Sequence, residues 1–190
     1  MEVRYLTPEQ AAKSSGVLCH GQLMIEHNTY CLAFYDQAVC AFHLSSLETA
    51  QLAAELKRRW PRAVLQRLEN QSSVLMDYAH RILVGENTPL LLVGTAFQCQ
   101  VWRALLKIPA GQCLSYQALA HAAKLDRAVR AVASAVAKNP VALAVPCHRV
   151  IRQSGAVGQY HWGVECKQHL LRAEGVVIRD GVVVDTTPSG

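Results

Sequence analysis

The rhythm of apolar and polar positions changes near the middle of this chain. In the first part, Tyr30–Phe34 and Ala38–Leu44 are short apolar runs on either side of Asp36-Gln37, a pattern that predicts a β-hairpin. Ser45-Ser46-Leu47-Glu48 matches a capping box, so a helix is expected from there to a stop before Pro61. Ser73–Val84 has helical periodicity and ends at Gly85. Residues 85–94, polar at first and then an apolar run to Gly94, read as the linker. The boundary is therefore placed between an α+β domain, 1–88, and a mainly helical domain, 89–190.

The second part is helix-rich. Thr95 and Gln98 form another capping box, leading Val101, Trp102, Leu105 and Leu106 towards a stop at Pro109-Ala110-Gly111. Ser115 is the expected cap of a short helix, Tyr116–Ala123, followed by a break at Lys124-Leu125. Asp126 is the expected cap of a longer helix reaching Asn139-Pro140. Two helices so joined make a helix-turn-helix unit. Arg127, Arg130, Ser134 and Lys138 fall along roughly one side of the second helix, among small alanines. Such a stripe suits a DNA backbone, and equally a solvated helix face. Cys166–Glu174 reads as a helix closed by Gly175, and Asp180-Gly181 as the turn of a last hairpin.

Composition narrows the class. With 51% hydrophobic and 17% charged residues, the chain is not an intrinsically disordered one. No window approaches the roughly 18 continuous apolar residues of a membrane span. The opening MEVRYLTPEQ has no basic-then-apolar pattern, so no secretory signal is expected and the cytoplasm is the expected compartment. Seven cysteines, an odd number, then read as thiols. Charge is uneven: residues 1–89 hold 8 Lys+Arg against 9 Asp+Glu, and residues 90–190 hold 11 against 5. The basic second half suits a polyanion.

The string from Asn139 to Ile151 holds the most reactive chemistry. Cys147, His148 and Arg149 stand side by side, flanked by apolar residues. A nucleophilic cysteine acts as thiolate, and neighbouring basic groups are one way to lower its pKa. Sequence neighbours usually diverge, so His148 is expected to need a water to reach Cys147. Glu174, at a helix end, is the natural third member: a carboxylate on an imidazole sets its tautomer and raises its basicity. On residues alone, an inert buried thiol and a surface glutamate are the commoner fates.

Pro146-Cys147-His148-Arg149-Val150 resembles the active-site motif of the O6-alkylguanine-DNA alkyltransferases. Gly94-Thr95-Ala96-Phe97-Gln98, Val101-Trp102, Ile108-Pro109-Ala110-Gly111, Ser115-Tyr116, Arg130-Ala131-Val132, Asn139-Pro140, Gly158-Gln159-Tyr160 and Lys167…Leu170-Leu171…Glu174-Gly175 fall in that family's order. The likeness is dense over residues 94–175 and only general before them. It implies a ribonuclease-H-like first domain and a second domain with a winged helix-turn-helix-like unit. It also implies a monomer that needs no cofactor or metal and acts on double-stranded DNA bearing O6-alkylguanine, with O4-alkylthymine left open. Each molecule would flip the damaged nucleotide through the minor groove and move its alkyl group once, irreversibly, to Cys147. By resemblance, His148 takes the thiol proton through a water, Glu174 orients His148, Asn139 organises the turn below, and Tyr116 assists the departing guanine. Arg130 resembles the finger that fills the vacated stack, with Arg127, Ser115, Lys124 and Ser134 as further DNA contacts. Carbonyls near Val145 and Cys147 would read the guanine edge, and Tyr160, His161 and Trp162 form the pocket wall.

Some positions depart from the family. Lys124 and Asp126 stand where Gly and Pro are frequent in the turn. Ala133-Ser134 replaces a Gly-Gly pair, as in the Ada/Ogt-like bacterial branch, and His161-Trp162 replaces smaller wall residues. Cys19, His27, Cys31, Cys40 and His43 lack CxxC spacing, and regular alternation sends Cys40 and His43 to opposite faces, so zinc is not expected there. Cys99, Cys113 and Cys166 read as packing residues. Three other functions stand beside the alkyltransferase: a lesion sensor, which would lack the cysteine; a transcription regulator, for which the first 90 or so residues are too few to add a methyl-accepting domain; and a Cys-His-Glu hydrolase, for which no oxyanion hole is marked.

Overall fold

The computed structural model describes residues 2–44, 49–70 and 72–186. Two compact units emerge: Met1–Cys99 with Pro140–Ala144, and Gln100–Asn139 with Val145–Gly190.

The first unit is a six-stranded mixed sheet with helices. Its strands are β1 (Val3–Leu6), β2 (Val17–Ile25), β3 (Asn28–Tyr35), β4 (Ala38–Leu44), β5 (Val64–Arg67) and β6 (Leu90–Val93), in the spatial order β1-β6-β4-β3-β2-β5. β2, β3 and β4 pair antiparallel, while β1 and β4 run parallel to β6 and β5 runs parallel to β2. The expected β3–β4 hairpin is present. Asp36 (φ 48°) and Gln37 (φ 58°) both adopt the left-handed conformation that a two-residue hairpin turn requires. Helix α1 (Pro8–Lys13) starts at a Thr7–Gln10 capping box, and α2 (Thr49–Arg59) buries Leu52 and Leu56 with Trp60 in the sheet's core. The capping box expected at Ser45–Glu48 lies outside the described residues. Helix α3 (Ser73–Leu83) starts at Ser72 and stops before Gly85, which has φ 75°.

The compact units divide later than the 88/89 boundary expected from the linker pattern at residues 85–94. The apolar end of the expected linker is β6, whose four residues are all buried between β1 and β4. A short apolar run bounded by turn residues is how a strand covered on both faces reads, and Pro89 and Gly94 punctuate it. Pro140–Ala144 also joins this unit: Phe42 N–H donates to Pro140 O at 3.0 Å, and Ala142 N–H to Phe42 O at 2.8 Å.

The second unit carries most of α4 (Ala96–Leu105), then β7 (Leu114–Ser115), α5 (Tyr116–Ala122) and α6 (Val129–Ala137). A single turn of 3-10 helix (Cys147–Arg149) follows, then β8 (Val150–Ile151), α7 (Val164–Ala173), β9 (Val177–Arg179) and β10 (Val182–Asp185). The Thr95–Gln98 capping box forms as expected, and Ser115 Oγ accepts from Ala118 N–H at 3.1 Å at the start of α5. Trp102 ties α4 to α6 by donating its indole N–H to Ala135 O at 2.9 Å.

Asp126 does not cap α6. That helix starts at Val129, three residues after Asp126, and its cap position, Ala128, makes no side-chain cap bond. Asp126 instead meets His121 Nδ1 at 2.7 Å across the turn, so its carboxylate is already engaged. The late start leaves Arg127 on the turn and not on the helical stripe. The β9–β10 hairpin turns at Asp180 (φ 49°) and Gly181 (φ 73°), as expected.

Candidate active site

Six of the expected residues meet in the second unit. Tyr116, Asn139, Cys147, Tyr160, His161 and Trp162 line a cavity of about 300 Å³, together with Val136, Ala137, Gln159 and Lys167. That volume is at the lower end for small-molecule sites. Asn139 is placed by the end of α6, and Tyr116 opens α5 directly after β7. Cys147 begins the 3-10 turn, and Lys167 projects from α7.

Asn139 is 6% exposed and organises the turn before Cys147. Its Nδ2 donates to Val145 O at 2.7 Å and to Cys147 Sγ at 3.2 Å. The Cys147 N–H also donates to Val145 O, at 2.8 Å. The Val145 carbonyl, expected to face an incoming base, thus already accepts two hydrogen bonds, and Val145 is fully buried away from the cavity lining. Both carbonyl lone pairs are used by the turn.

Cys147 and His148 diverge, as adjacent side chains do. Cys147 Sγ faces Asn139 and lies 3.9 Å from the Tyr160 hydroxyl. His148, 2% exposed, turns to Glu174, with Nε2 at 2.8 Å from Oε1. A carboxylate only accepts, so a neutral imidazole bonded to it carries its proton on Nε2 and has its lone pair on Nδ1. Nδ1 is buried without a protein hydrogen-bond partner among the described residues.

Glu174 is the hub behind the cavity. Arg149 donates to it from Nη2 at 2.8 Å and from Nε at 3.2 and 3.0 Å, and its Nη1 donates to Ile108 O. Gly111 N–H adds a bond to Oε2 at 3.3 Å. Burial alone would raise the Glu174 pKa, but the bonds from His148 and Arg149 outweigh it and bring it down to about 2.

The two basic neighbours of Cys147 are therefore spent on Glu174. Burial pushes the Cys147 thiol's pKa up, opposed by Asn139, Tyr160 and the charge of Lys167. The lowering expected from His148 and Arg149 does not arise: the side chains that oppose burial are Asn139, Tyr160 and Lys167. Lys167, placed by the sequence only in the family's residue order, is the cation whose charge favours the ionised form of this thiol. It is 1% exposed, donates to Val150 O and to Val157 O at 2.7 Å, and has its pKa lowered by burial to about 8. Its Nζ lies 5.9 Å from the Tyr160 ring centre. A buried lysine is unusual, but nothing in the spacing around Lys167 marks it as buried. Tyr116 is held protonated by burial and by its proximity to Cys147, with Arg152 acting in the opposite sense.

Arg130 and Ser134 lie exposed on α6, Lys124 (φ 57°) and Arg127 lie exposed in the turn before it, and Ser115 is half-buried at the cap of α5. None of the five lines the cavity. Trp162 stands edge-on to Tyr160 and His161, with ring centres 5.0 and 5.1 Å apart. All seven cysteines are free thiols. Among the described residues, no three His, Cys, Asp or Glu side chains converge as a metal site, and no helix is long and apolar enough to cross a membrane.

Residues 96–176 match the family model described as 6-O-methylguanine DNA methyltransferase, DNA binding domain. The chain is 43% identical over 148 residues to the bifunctional transcriptional activator/DNA repair enzyme Ada of Escherichia coli, a match covering 73% of this chain but 40% of Ada. The inducible methylated-DNA–protein-cysteine methyltransferase of Bacillus subtilis is 38% identical over 122 residues, covering 62% of this chain and 68% of that protein. The chain belongs to the methylated-DNA–protein-cysteine methyltransferase family. Its mixed α/β fold is that of a solved methyltransferase: the Mycobacterium tuberculosis OGT structure in complex with DNA superposes with a TM-score of 0.65, at 29% identity, over 82% of this chain and 92% of that one. The family match spans Cys147, His148 and Glu174 and all ten cavity residues.

Proposed function

We propose that this methyltransferase-family protein repairs DNA by direct reversal, taking the alkyl group of O6-alkylguanine onto Cys147 in a single turnover. The observation that carries this is one buried thiol opening on a cavity, with an uncoupled His148 Nδ1 and the Glu174–Arg149 network behind it. The Cys147 proton leaves through a water to His148 Nδ1. The thiolate's electron pair forms the S–C bond, the C–O6 bond breaks, and its pair passes to the guanine, neutralised by a proton from the Tyr116 hydroxyl. Asn139 supports the thiolate by donating to Sγ, and Glu174 stabilises the imidazolium that forms. The thioether on Cys147 is the end product of this step, so each molecule acts once.

The partner is double-stranded DNA, engaged by a monomer through the minor groove with the damaged nucleotide flipped into the cavity. Arg130 fills the gap in the stack, while Arg127, Lys124, Ser115 and Ser134 meet the backbone; the exposure of Arg130 and Ser134 on α6 and of Lys124 and Arg127 in the turn before it supports this, with Ser115 half-buried at the cap of α5. We read the first unit as ribonuclease-H-like, on the strength of its mixed sheet with antiparallel β2–β3–β4, and the α5–α6 pair as a winged helix-turn-helix-like unit. Seven unbridged thiols fit the reducing cytoplasm.

The test is intact mass after mixing with a duplex holding one O6-methylguanine. The expected result is a gain of one methylene, about 14 Da, mapped to Cys147 and absent in Cys147→Ala. Tighter lesion binding without mass gain would make the protein a lesion sensor, and neither response would sink both repair functions.

Trp162 narrows the cavity beside Tyr160. Trp162→Gly is expected to speed reaction with a benzylated guanine by about five- to a hundredfold, since overfilling a packed site costs about 1–3 kcal/mol. An unchanged benzyl rate would show that Trp162 does not set the size limit.

A further inference from the structure

Arg152 takes no part in the Glu174 network. It directly follows β8, which pairs in parallel with β7 in the register Leu114↔Val150 and Ser115↔Ile151. The residues that leave this strand pair together are Tyr116, on the cavity wall, and Arg152. The guanidinium is close enough to favour the ionised form of Tyr116 and to disfavour the charged form of Lys167, although burial dominates at both.

The side chain is packed along its stem, and its guanidinium has no hydrogen-bond partner among the described residues. A Cβ on Gly158 (φ 76°) would sit 3.3 Å from Arg152 Cγ and 3.5 Å from Nε, so the arginine lies against the bare backbone that starts the Tyr160–Trp162 wall. Its root is tied by Arg152 N–H donating to Ala156 O at 2.9 Å and Gly155 N–H donating to Arg152 O at 3.0 Å. The residue is nonetheless exposed, and no carboxylate lies within ion-pair distance of it among the described residues. Arg149, three residues earlier, has its guanidinium filled by Glu174 and Ile108. A positioned fork of donors without an internal anion, beside the tyrosine of a cavity, matches the geometry of phosphate oxygens.

We infer that Arg152 is a phosphate clamp, holding the phosphodiester of the nucleotide whose base enters the Tyr116–Cys147 cavity. This rests on the DNA-repair function proposed above. Arg152 positions the substrate and Tyr116 acts on the base, so the clamp is separate from the Arg130 finger.

The experiment uses the full chain with Cys147→Ser, so that no transfer consumes the complex. Equilibrium binding to a duplex with one O6-methylguanine, and to its undamaged counterpart, is measured across a salt series. Arg152→Met keeps a stem against Gly158 and removes the charge; Arg152→Lys keeps the charge without the fork. On the damaged duplex, the slope of log Kd against log salt is expected to fall by about 0.9 in Arg152→Met and to be retained in Arg152→Lys. Affinity for that duplex falls several-fold in Arg152→Met, and by less for the undamaged one. An unchanged slope, or an equal loss on both duplexes, would overturn the clamp. Should Arg152→Met not fold, Arg152→Gln gives the same comparison. A parent protein with no lesion preference, and no alkyl uptake when Cys147 is intact, would remove the repair function and the clamp with it, whereas alkyl uptake with an unchanged Arg152→Met slope removes the clamp alone.

Discussion

Glu174→Ala is expected to destabilise the protein by about 3–5 kcal/mol at pH 7, because it leaves the half-buried Arg149 guanidinium without its anion. Glu174 meets His148, Arg149 and the Gly111 N–H at once, with its side chain 18% exposed, so little water can replace what is lost. Acid should report the same network in the wild type. The Glu174 pKa is depressed from 4.5 to about 2 in the fold, so the folded state binds fewer protons than the unfolded chain between these values. The stabilisation is complete above the unfolded value and is lost as pH falls through about 2. By linkage it amounts to roughly 3 kcal/mol. Urea unfolding at a series of pH values checks both points. Glu174→Gln should flatten the acid limb, and an alanine variant within 1 kcal/mol of wild type at pH 7 would show that the network contributes little.

His148→Ala is expected to slow single-turnover methyl transfer by 10²–10⁴-fold, the usual contribution of a positioned general base. On the mechanism proposed above, the Cys147 thiol requires a base because burial holds its pKa up. Glu174 keeps its bonds to Arg149 in this variant, so the loss is chemical more than structural. Part of the rate should return at high pH, where the thiol ionises unaided. A rate within tenfold of wild type at neutral pH would mean that the thiol loses its proton by another route.

Local chemistry in the sequence pointed to many of the elements. The Asp36-Gln37 turn, the Thr95–Gln98 box, the Ser115 cap and the Gly85 and Gly175 stops are short-range signals, and each appears where side chains and backbone of neighbouring residues decide the outcome. Two expectations failed for long-range reasons. Leu90–Val93 looked like the tail of a linker because nothing local reveals that β1 and β4 flank it. Asp126 looked like a cap, but His121 reaches it across the turn.

The reactive string, its order within the family, and a thiol, an imidazole and a carboxylate in the second half are all legible in the residue order. Which of these groups meet is set by the fold. It sends His148 and Arg149 to Glu174, gives Cys147 to Asn139, and brings Lys167 from a different helix to act on the thiol. The physical reason is that adjacent side chains point apart, so a charge acts on the group folding places beside it; burial then sets the strength of that effect, and burial belongs to the whole packed unit.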